Sequence, residues 1–270
     1  MTQARMQLSR RGFCSLAAAP LAARLHAAAG SGYWADQLSR APAENWLTYH
    51  GDYSGRRFSR LAQIDRSSVK RLSARWVFQA DGTRRQQCTP LVLDGVMYLT
   101  SANNIYALDA RTGRKLWNYR ISLPEGVRPE GNRGVALSDT RMFVGSIDGR
   151  LLALDRRNGS IIWEKRTGDY KVEHRLTLAP LVVRDRVICG MGFGDWGARG
   201  YLDSYDAATG ALQWRSWMVP SPGEPFSETW PANSKAWESG GGCTWMTGTY
   251  DPEANLLYWG TGNPAPDYFG

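Results

Sequence analysis

Two glycine-rich runs and an isolated arginine are where this 270-residue sequence places side chains suited to chemistry. Asp195 stands among Gly192, Gly194 and Gly197, Trp245 closes the run Gly240-Gly241-Gly242-Cys243-Thr244, and Arg133 sits in Asn132-Arg133-Gly134. Glycines at this density let a backbone approach a ligand closely, which favours a functional reading of Asp195, and the glycine-rich, turn-like setting of Trp245 differs from that of the other tryptophans. A solvated loop carboxylate, a packing tryptophan and a surface arginine are the structural alternatives. Other chemistries lack their residues. His50 and His174, the histidines after residue 29, are far apart and outside any GxSxG motif, which leaves nucleophilic hydrolysis unsupported. There is no CxxC, CxxCH or histidine cluster to mark a zinc or covalent haem site. No GxGxxG follows a strand and opens a helix, so nicotinamide and flavin chemistry of the Rossmann kind is unsupported.

The elements that must position these residues form a repeat. Ala107-Leu108-Asp109-Ala110-Arg111-Thr112-Gly113-Arg114-Lys115-Leu116-Trp117 aligns without gaps on 153–163 and 204–214, in the pattern small, apolar, Asp, then Gly, then Trp. Asp109, Asp155 and Asp206 are spaced by 46 and 51 residues, close to the length of a four-stranded propeller blade. Alternating apolar runs around a turn precede each motif, as in Leu91-Val92-Leu93-Asp94-Gly95-Val96-Met97-Tyr98-Leu99, where Asp-Gly marks a two-residue hairpin. The predicted fold is therefore all-β, a β-propeller of four-stranded antiparallel blades. Asp and Gly turn the chain between the outer strands of a blade, and Trp117, Trp163 and Trp214 pack between neighbouring blades in a structural role. At roughly 48 residues per blade, the chain after residue 29 holds about four to five.

Composition agrees with a β-rich globular chain: 43% hydrophobic, 21% charged, with 12 Trp, 12 Tyr and 29 Gly. No run of 18 apolar residues follows position 29, so a multi-span membrane protein is excluded. The net charge of +8 is concentrated at the start: Arg5, Arg10, Arg11 and Arg24 occur in residues 1–29 without an acid. The remainder carries 29 basic and 25 acidic residues, interspersed, so no stripe for a nucleic-acid backbone is expected. Ser9-Arg10-Arg11-Gly12-Phe13, the weakly apolar stretch after it and Ala27-Ala28-Ala29 resemble a twin-arginine export signal. The expected organisation is a signal peptide over 1–29 and a partial propeller domain over 30–270, located in the periplasm. Cleavage removes Cys14 and leaves Cys88, Cys189 and Cys243, read as buried, inert thiols with at most one bridge among them.

The repeat, the opening Trp-Leu-Thr-Tyr-His-Gly-Asp-Tyr-Ser-Gly-Arg-Arg-Phe of 46–58 and the segment Gly260-Thr261-Gly262-Asn263-Pro264 together resemble the quinoprotein alcohol dehydrogenases, which use pyrroloquinoline quinone. The likeness runs from about Trp46 to the last residue, with the motifs in the family's order. It implies an eight-bladed propeller of roughly twice this length, of which this sequence covers the amino-terminal part. The resemblance also assigns site roles. Trp245 matches the family's platform tryptophan, stacked on the cofactor, and Arg133 the arginine that contacts the quinone oxygens. Thr177 and Gln87 sit where the family has hydrogen-bond partners of the cofactor carboxylates, and Gln87 is neutral where some relatives have Glu. Asn263 and Asp195 match the two protein ligands to calcium, with Asp195 where Glu is usual. Asp is one methylene shorter, which bears on which hard cation fits.

Two departures accompany the resemblance. Many members place adjacent cysteines, joined in a disulfide over the cofactor, shortly before the matched arginine, whereas this sequence reads Arg128-Pro129-Glu130-Gly131-Asn132-Arg133. The family's catalytic aspartate corresponds to a position after Gly270, so no catalytic residue is assigned within the sequence. The implied activity is oxidation of a small primary alcohol by hydride transfer to pyrroloquinoline quinone, with cytochrome c or a membrane quinone as acceptor and a partner chain as one way to complete the ring. A non-catalytic propeller scaffold and an inactive truncated remnant are the alternatives left open.

Overall fold

The structure is a computed structural model that describes residues 38–39, 43–81, 85–231 and 233–267; the proposed export signal and Cys14 lie outside them. Among the described residues the chain builds three complete four-stranded antiparallel sheets and the first hairpin of another. The first blade holds β1 (Leu91–Leu93), β2 (Val96–Ser101), β3 (Asn104–Asp109) and β4 (Lys115–Arg120), paired in chain order. The second repeats the order with β5 (Ala136–Leu137), β6 (Arg141–Ser146), β7 (Arg150–Asp155) and β8 (Ile161–Arg166). The third has β9 (Leu181–Val183), β10 (Arg186–Gly190), β11 (Tyr201–Asp206) and β12 (Leu212–Trp217), and the hairpin of β13 (Thr249–Asp251) and β14 (Leu256–Tyr258) follows. The expected four to five blades thus resolve, among the described residues, into three and part of a fourth, because the described residues of 43–90 contribute no named strand.

Local sequence explains the turns. Asp94 and Gly95 both have positive φ, 50° and 78°, as the expected two-residue hairpin between β1 and β2 requires. In the repeated turn between the third and fourth strands, the Asp109 carboxylate accepts from the amides of Arg111 and Thr112, and Asp206 accepts from those of Ala208 and Thr209. Opposite Trp117, Trp163 and Trp214 stand the small residues Ala107, Ala153 and Ser204, and the register shifts immediately after each. One extra residue on the outer strand at that point turns the indole toward the next blade.

The indoles dock by one rule. Trp76, Trp117 and Trp163 donate their Nε1–H to the carbonyls of Ala110, Arg156 and Ala207, at 3.1, 3.2 and 3.2 Å. Each carbonyl belongs to the residue after the repeat aspartate of the following blade. The same indoles lie on Gly113, Gly159 and Gly210, where an added Cβ would meet ring carbons at 2.6, 2.6 and 2.8 Å. All three glycines have positive φ, between 69° and 75°, so their conserved spacing from the aspartate answers two demands, a left-handed turn and a flat seat for the indole. Trp76 performs this docking from a segment outside any described sheet. Trp214 is 37% exposed and has no such seat among the described residues.

Packing follows from the stacking of blades. β3, β7 and β11 are buried on both faces along most of their length, whereas β4, β8 and β12 are largely exposed. One continuous core joins Leu91 and Tyr98 to Phe143 and Leu152, and these to Leu181 and Val187. The segment from Trp46 to Tyr53 ties several blades together: Trp46 pairs with Val92 in both directions, Tyr53 Oη donates to the Val182 carbonyl at 2.7 Å, and His50 Nε2 contacts the Thr247 carbonyl at 2.9 Å. The prediction from this packing is asymmetric. Trp117→Ala should lower stability by about 3 kcal/mol, or roughly 5–10 °C in Tm, while Trp214→Ala in the same 270-residue chain should cost less than about 1 kcal/mol; thermal melts of the two variants decide it.

Candidate functional site

Each blade contributes to the site from the stretch just before its innermost strand. Gln87 lies four residues before β1, Arg133 three before β5, Thr177 four before β9 and Trp245 four before β13. These stretches are joined edge to edge by main-chain hydrogen bonds, Thr89 N–H to Arg133 O at 3.0 Å and Arg133 N–H to Thr177 O at 2.9 Å. Four segments distant in sequence therefore meet at one end of the blades. They line a cavity of about 380 Å³ together with Asp195 and Asn263, so all six residues singled out by sequence share one enclosure. A volume of this size matches a small-molecule pocket.

Asp195 and Asn263 reach the cavity on loops fixed by the glycine run before Trp245. Gly241 donates to Ala198 O at 3.0 Å and accepts from Gly200 N–H at 2.8 Å, while Gly242 donates to Asn263 O at 3.0 Å. Gly262 N–H reaches Cys243 O at 2.8 Å, and Asp267 N–H reaches Asp195 O at 3.0 Å. The close spacing is steric: a Cβ on Gly194 would lie 2.7 Å from Cys243 Sγ, and one on Gly192 would lie 2.6 Å from Thr177 Oγ1. Gly192, Gly194 and Gly197 have G-x-G-x-x-G spacing and follow β10, but they open only the single 3-10 turn Gly194–Trp196 before the antiparallel strand β11. No helix terminus is formed there to receive a dinucleotide phosphate.

The donor set is specific in its orientation. The Asn263 amide nitrogen donates to Pro264 O at 2.9 Å, which leaves its Oδ1 for a cation, and the exposed Asp195 carboxylate lines the same cavity. Cys243, buried beneath Asp195, has its thiol pushed up to about 12 by burial and then by the Asp195 charge, so it stays protonated. Cys88, Cys189 and Cys243 are free thiols. On the other side Arg133 donates from Nη1 to Thr177 Oγ1 at 2.8 Å, and its guanidinium carbon lies 4.7 Å from the Trp245 ring centroid. Burial lowers the pKa of Arg133, partly offset by Tyr49. Among the described residues no carboxylate lies within ion-pair distance of it. A half-buried cation without a counter-ion is a site for an anion.

Asn132 is a residue that the sequence reading passed over. Fully enclosed, it accepts from Thr100 Oγ1 at 3.0 Å and Gly134 N–H at 2.8 Å and donates to Gly145 O at 2.9 Å, which fixes the backbone of Arg133. Its position beside the arginine in the 44-residue series Thr89, Arg133, Thr177 was the available signal. Trp196, 73% exposed, and Phe193, Glu130 and Gly131 also line the cavity; Glu130 and Gly131 occupy the stretch before Arg133 that carries paired cysteines in the resemblance. Asn132→Leu should take the side-chain partner from Gly134 N–H and Gly145 O, while Thr100 Oγ1 keeps the main-chain carbonyl of residue 132 at 3.3 Å, and cost about 2 kcal/mol or more; an unchanged melting temperature would show that Asn132 is no hub.

Comparison with known proteins places this geometry. The family described as Glucose/ethanol/alcohol dehydrogenase, beta-propeller domain, matches residues 46–270. The quinohemoprotein alcohol dehydrogenase ADH IIB of Pseudomonas putida is 39% identical over 264 residues, covering 92% of this chain and 38% of the relative. The quinoprotein alcohol dehydrogenase PedH of Pseudomonas putida is 38% identical over 234 residues, covering 78% of this chain and 39% of that one. Among solved structures, the quinohemoprotein alcohol dehydrogenase of Comamonas testosteroni superposes with a TM-score of 0.75 at 35% identity, covering 88% and 40% of the two chains. A europium-containing methanol dehydrogenase gives 0.76 at 31% identity, covering 83% and 43%. The chain thus spans less than half the length of the relatives it matches. With its tryptophan-docked blades and the matched residues gathered in one cavity, this chain belongs to the β-propeller family of the quinoprotein alcohol dehydrogenases.

Proposed function

We propose that the cavity is the amino-terminal part of a pyrroloquinoline quinone site with a hard cation, calcium in the first instance, and that the chain serves oxidation of a small primary alcohol. The observation that carries this reading is Arg133, a half-buried guanidinium with no carboxylate within ion-pair distance among the described residues, set against the Trp245 ring in a cavity that also presents oxygen donors. The residues fit the group on chemical grounds. A flat polycarboxylate needs an aromatic plane, a cation and hydrogen-bond donors, which Trp245, Arg133, Thr177 and Gln87 provide. Asp195 and Asn263 Oδ1 offer the oxygens that a hard cation accepts. When bound, the quinone supplies the carbonyl carbon that takes hydride from the alcohol.

The chain's own residues have distinct tasks in this reading. Trp245 holds the plane of the ligand and excludes water from one face. Arg133 pairs with its anionic oxygens, where a positive charge lowers the energy of negative charge that builds up on reduction. Thr177 aligns Arg133, and Asp195 and Asn263 hold the cation. The proton of the alcohol needs a base, and the family's catalytic aspartate corresponds to a position after Gly270. Further blades, from another segment or a partner chain, would seat Trp214 and close the ring. Relatives named as quinohemoprotein and as quinone-type alcohol dehydrogenases support cytochrome c or a membrane quinone as acceptor, and the arginine pair at residues 10 and 11 supports export to the periplasm.

Titration of the purified chain with pyrroloquinoline quinone tests the reading through cofactor absorbance and protein melting. Binding should require calcium, weaken at least about tenfold in Trp245→Ala, and lose its calcium dependence in Asn263→Ala. Absence of binding by a well-folded chain, or equal binding by all three proteins, would overturn it.

A further inference from the structure

Arg133 does more in this structure than supply a positive charge, because its guanidinium lies over the indole face that a flat ligand would use. The guanidinium carbon is 4.7 Å from the Trp245 ring centroid, and the same group holds Thr177 Oγ1 at 2.8 Å. Trp245 is 39% exposed and lines the cavity, so the covered indole is the one a ligand would reach. We propose that Arg133 selects ligands by charge: it covers the Trp245 plane until an anionic group draws it aside. The proposal rests on the reading of this cavity as a planar-ligand site, and it adds the rule by which ligands are admitted.

The physical basis is an exchange of partners. A planar guanidinium stacks on an indole face through cation–π and dispersion contact, and the contact strengthens when water is excluded. A neutral planar molecule entering the site must break this stack and leave a half-buried cation whose acceptors among the described residues are the Thr177 hydroxyl and carbonyl. A planar polycarboxylate breaks the same stack but returns an ion pair to the guanidinium. Entry is therefore unfavourable for neutral rings and favourable for anionic ones, even though both fit the same plane. Arg85, Glu130 and Asp195 are the other charged residues that line the cavity; neither carboxylate lies within ion-pair distance of Arg133 among the described residues, so neither takes the place of the incoming anion, and Arg85 adds to the preference for an anion without covering the indole of Trp245 in the way that Arg133 does.

The test uses two probes of one shape, pyrroloquinoline quinone and its uncharged trimethyl ester, titrated calorimetrically into the 270-residue chain and into Arg133→Gln. The wild-type chain should prefer the anionic probe by at least tenfold. In Arg133→Gln the anionic probe should weaken by about tenfold or more while the ester tightens several-fold, since the indole face is then open. Arg133→Lys, which keeps the charge without a planar fork, should admit the ester and retain the anion within a few-fold. Thermal melts of both variants show that the blades remain folded. Weakening of both probes together, or an ester affinity unchanged in both variants, would overturn the proposal. Failure of the anionic probe on every protein, with the ester still gaining on Arg133→Gln, would overturn the cofactor assignment and leave Arg133 as the cover of the indole.

Discussion

The seat that each blade offers to the tryptophan of its predecessor is the constraint on which the rest of this structure depends. A glycine without a side chain and a free carbonyl one residue after the repeat aspartate receive an indole ring and its N–H, and the arrangement recurs for Trp76, Trp117 and Trp163. An indole can satisfy its donor and its apolar face at once only in a narrow range of positions, so the docking sets both the distance and the rotation between blades. The bulge after Ala107, Ala153 and Ser204 belongs to the same device, since it aims the indole outward from its own sheet.

With the blades so fixed, the segments preceding their innermost strands converge, and the site is a consequence of that convergence. Thr89, Arg133 and Thr177 are linked by backbone hydrogen bonds across blades, which places Arg133 beside Thr177 and opposite Trp245 with no helix or long loop to carry it. The glycine run before Trp245 then locks the Asp195 and Asn263 loops together through main-chain contacts that a Cβ would obstruct. The ladders fix the main chain from which the binding groups project, which limits the cost of ordering them around a flat, charged ligand. Among the described residues Arg133 has no carboxylate within ion-pair distance, and an anionic ligand would supply that partner.

The fold was legible because its signals are local: an aspartate, a glycine and a tryptophan at fixed offsets, and an Asp-Gly hairpin before β2. Trp76 escaped because no Asp-Gly turn precedes it, although it docks as the others do. The six site residues were legible through the family resemblance, supported for Asp195 and Trp245 by their glycine-rich settings, and these signals reach identity and order along the chain. What the sequence did not disclose is arrangement. Nothing in Asn132-Arg133-Gly134 states that the arginine lies on Trp245, more than a hundred positions away, or that Asn132 anchors it through Thr100 and Gly145. The spacing of Gly192, Gly194 and Gly197 misleads in the opposite sense, since its match to a phosphate-binding motif dissolves once β10 and β11 are seen to be antiparallel.

A crystal structure of the chain grown with pyrroloquinoline quinone and calcium addresses the central claim most directly. The account predicts planar density against the Trp245 ring, an ion held by Asp195 and Asn263, and the Arg133 guanidinium moved off the indole to pair with ligand oxygens. Planar density away from Trp245, or Arg133 still stacked on the indole with ligand bound elsewhere, would contradict it.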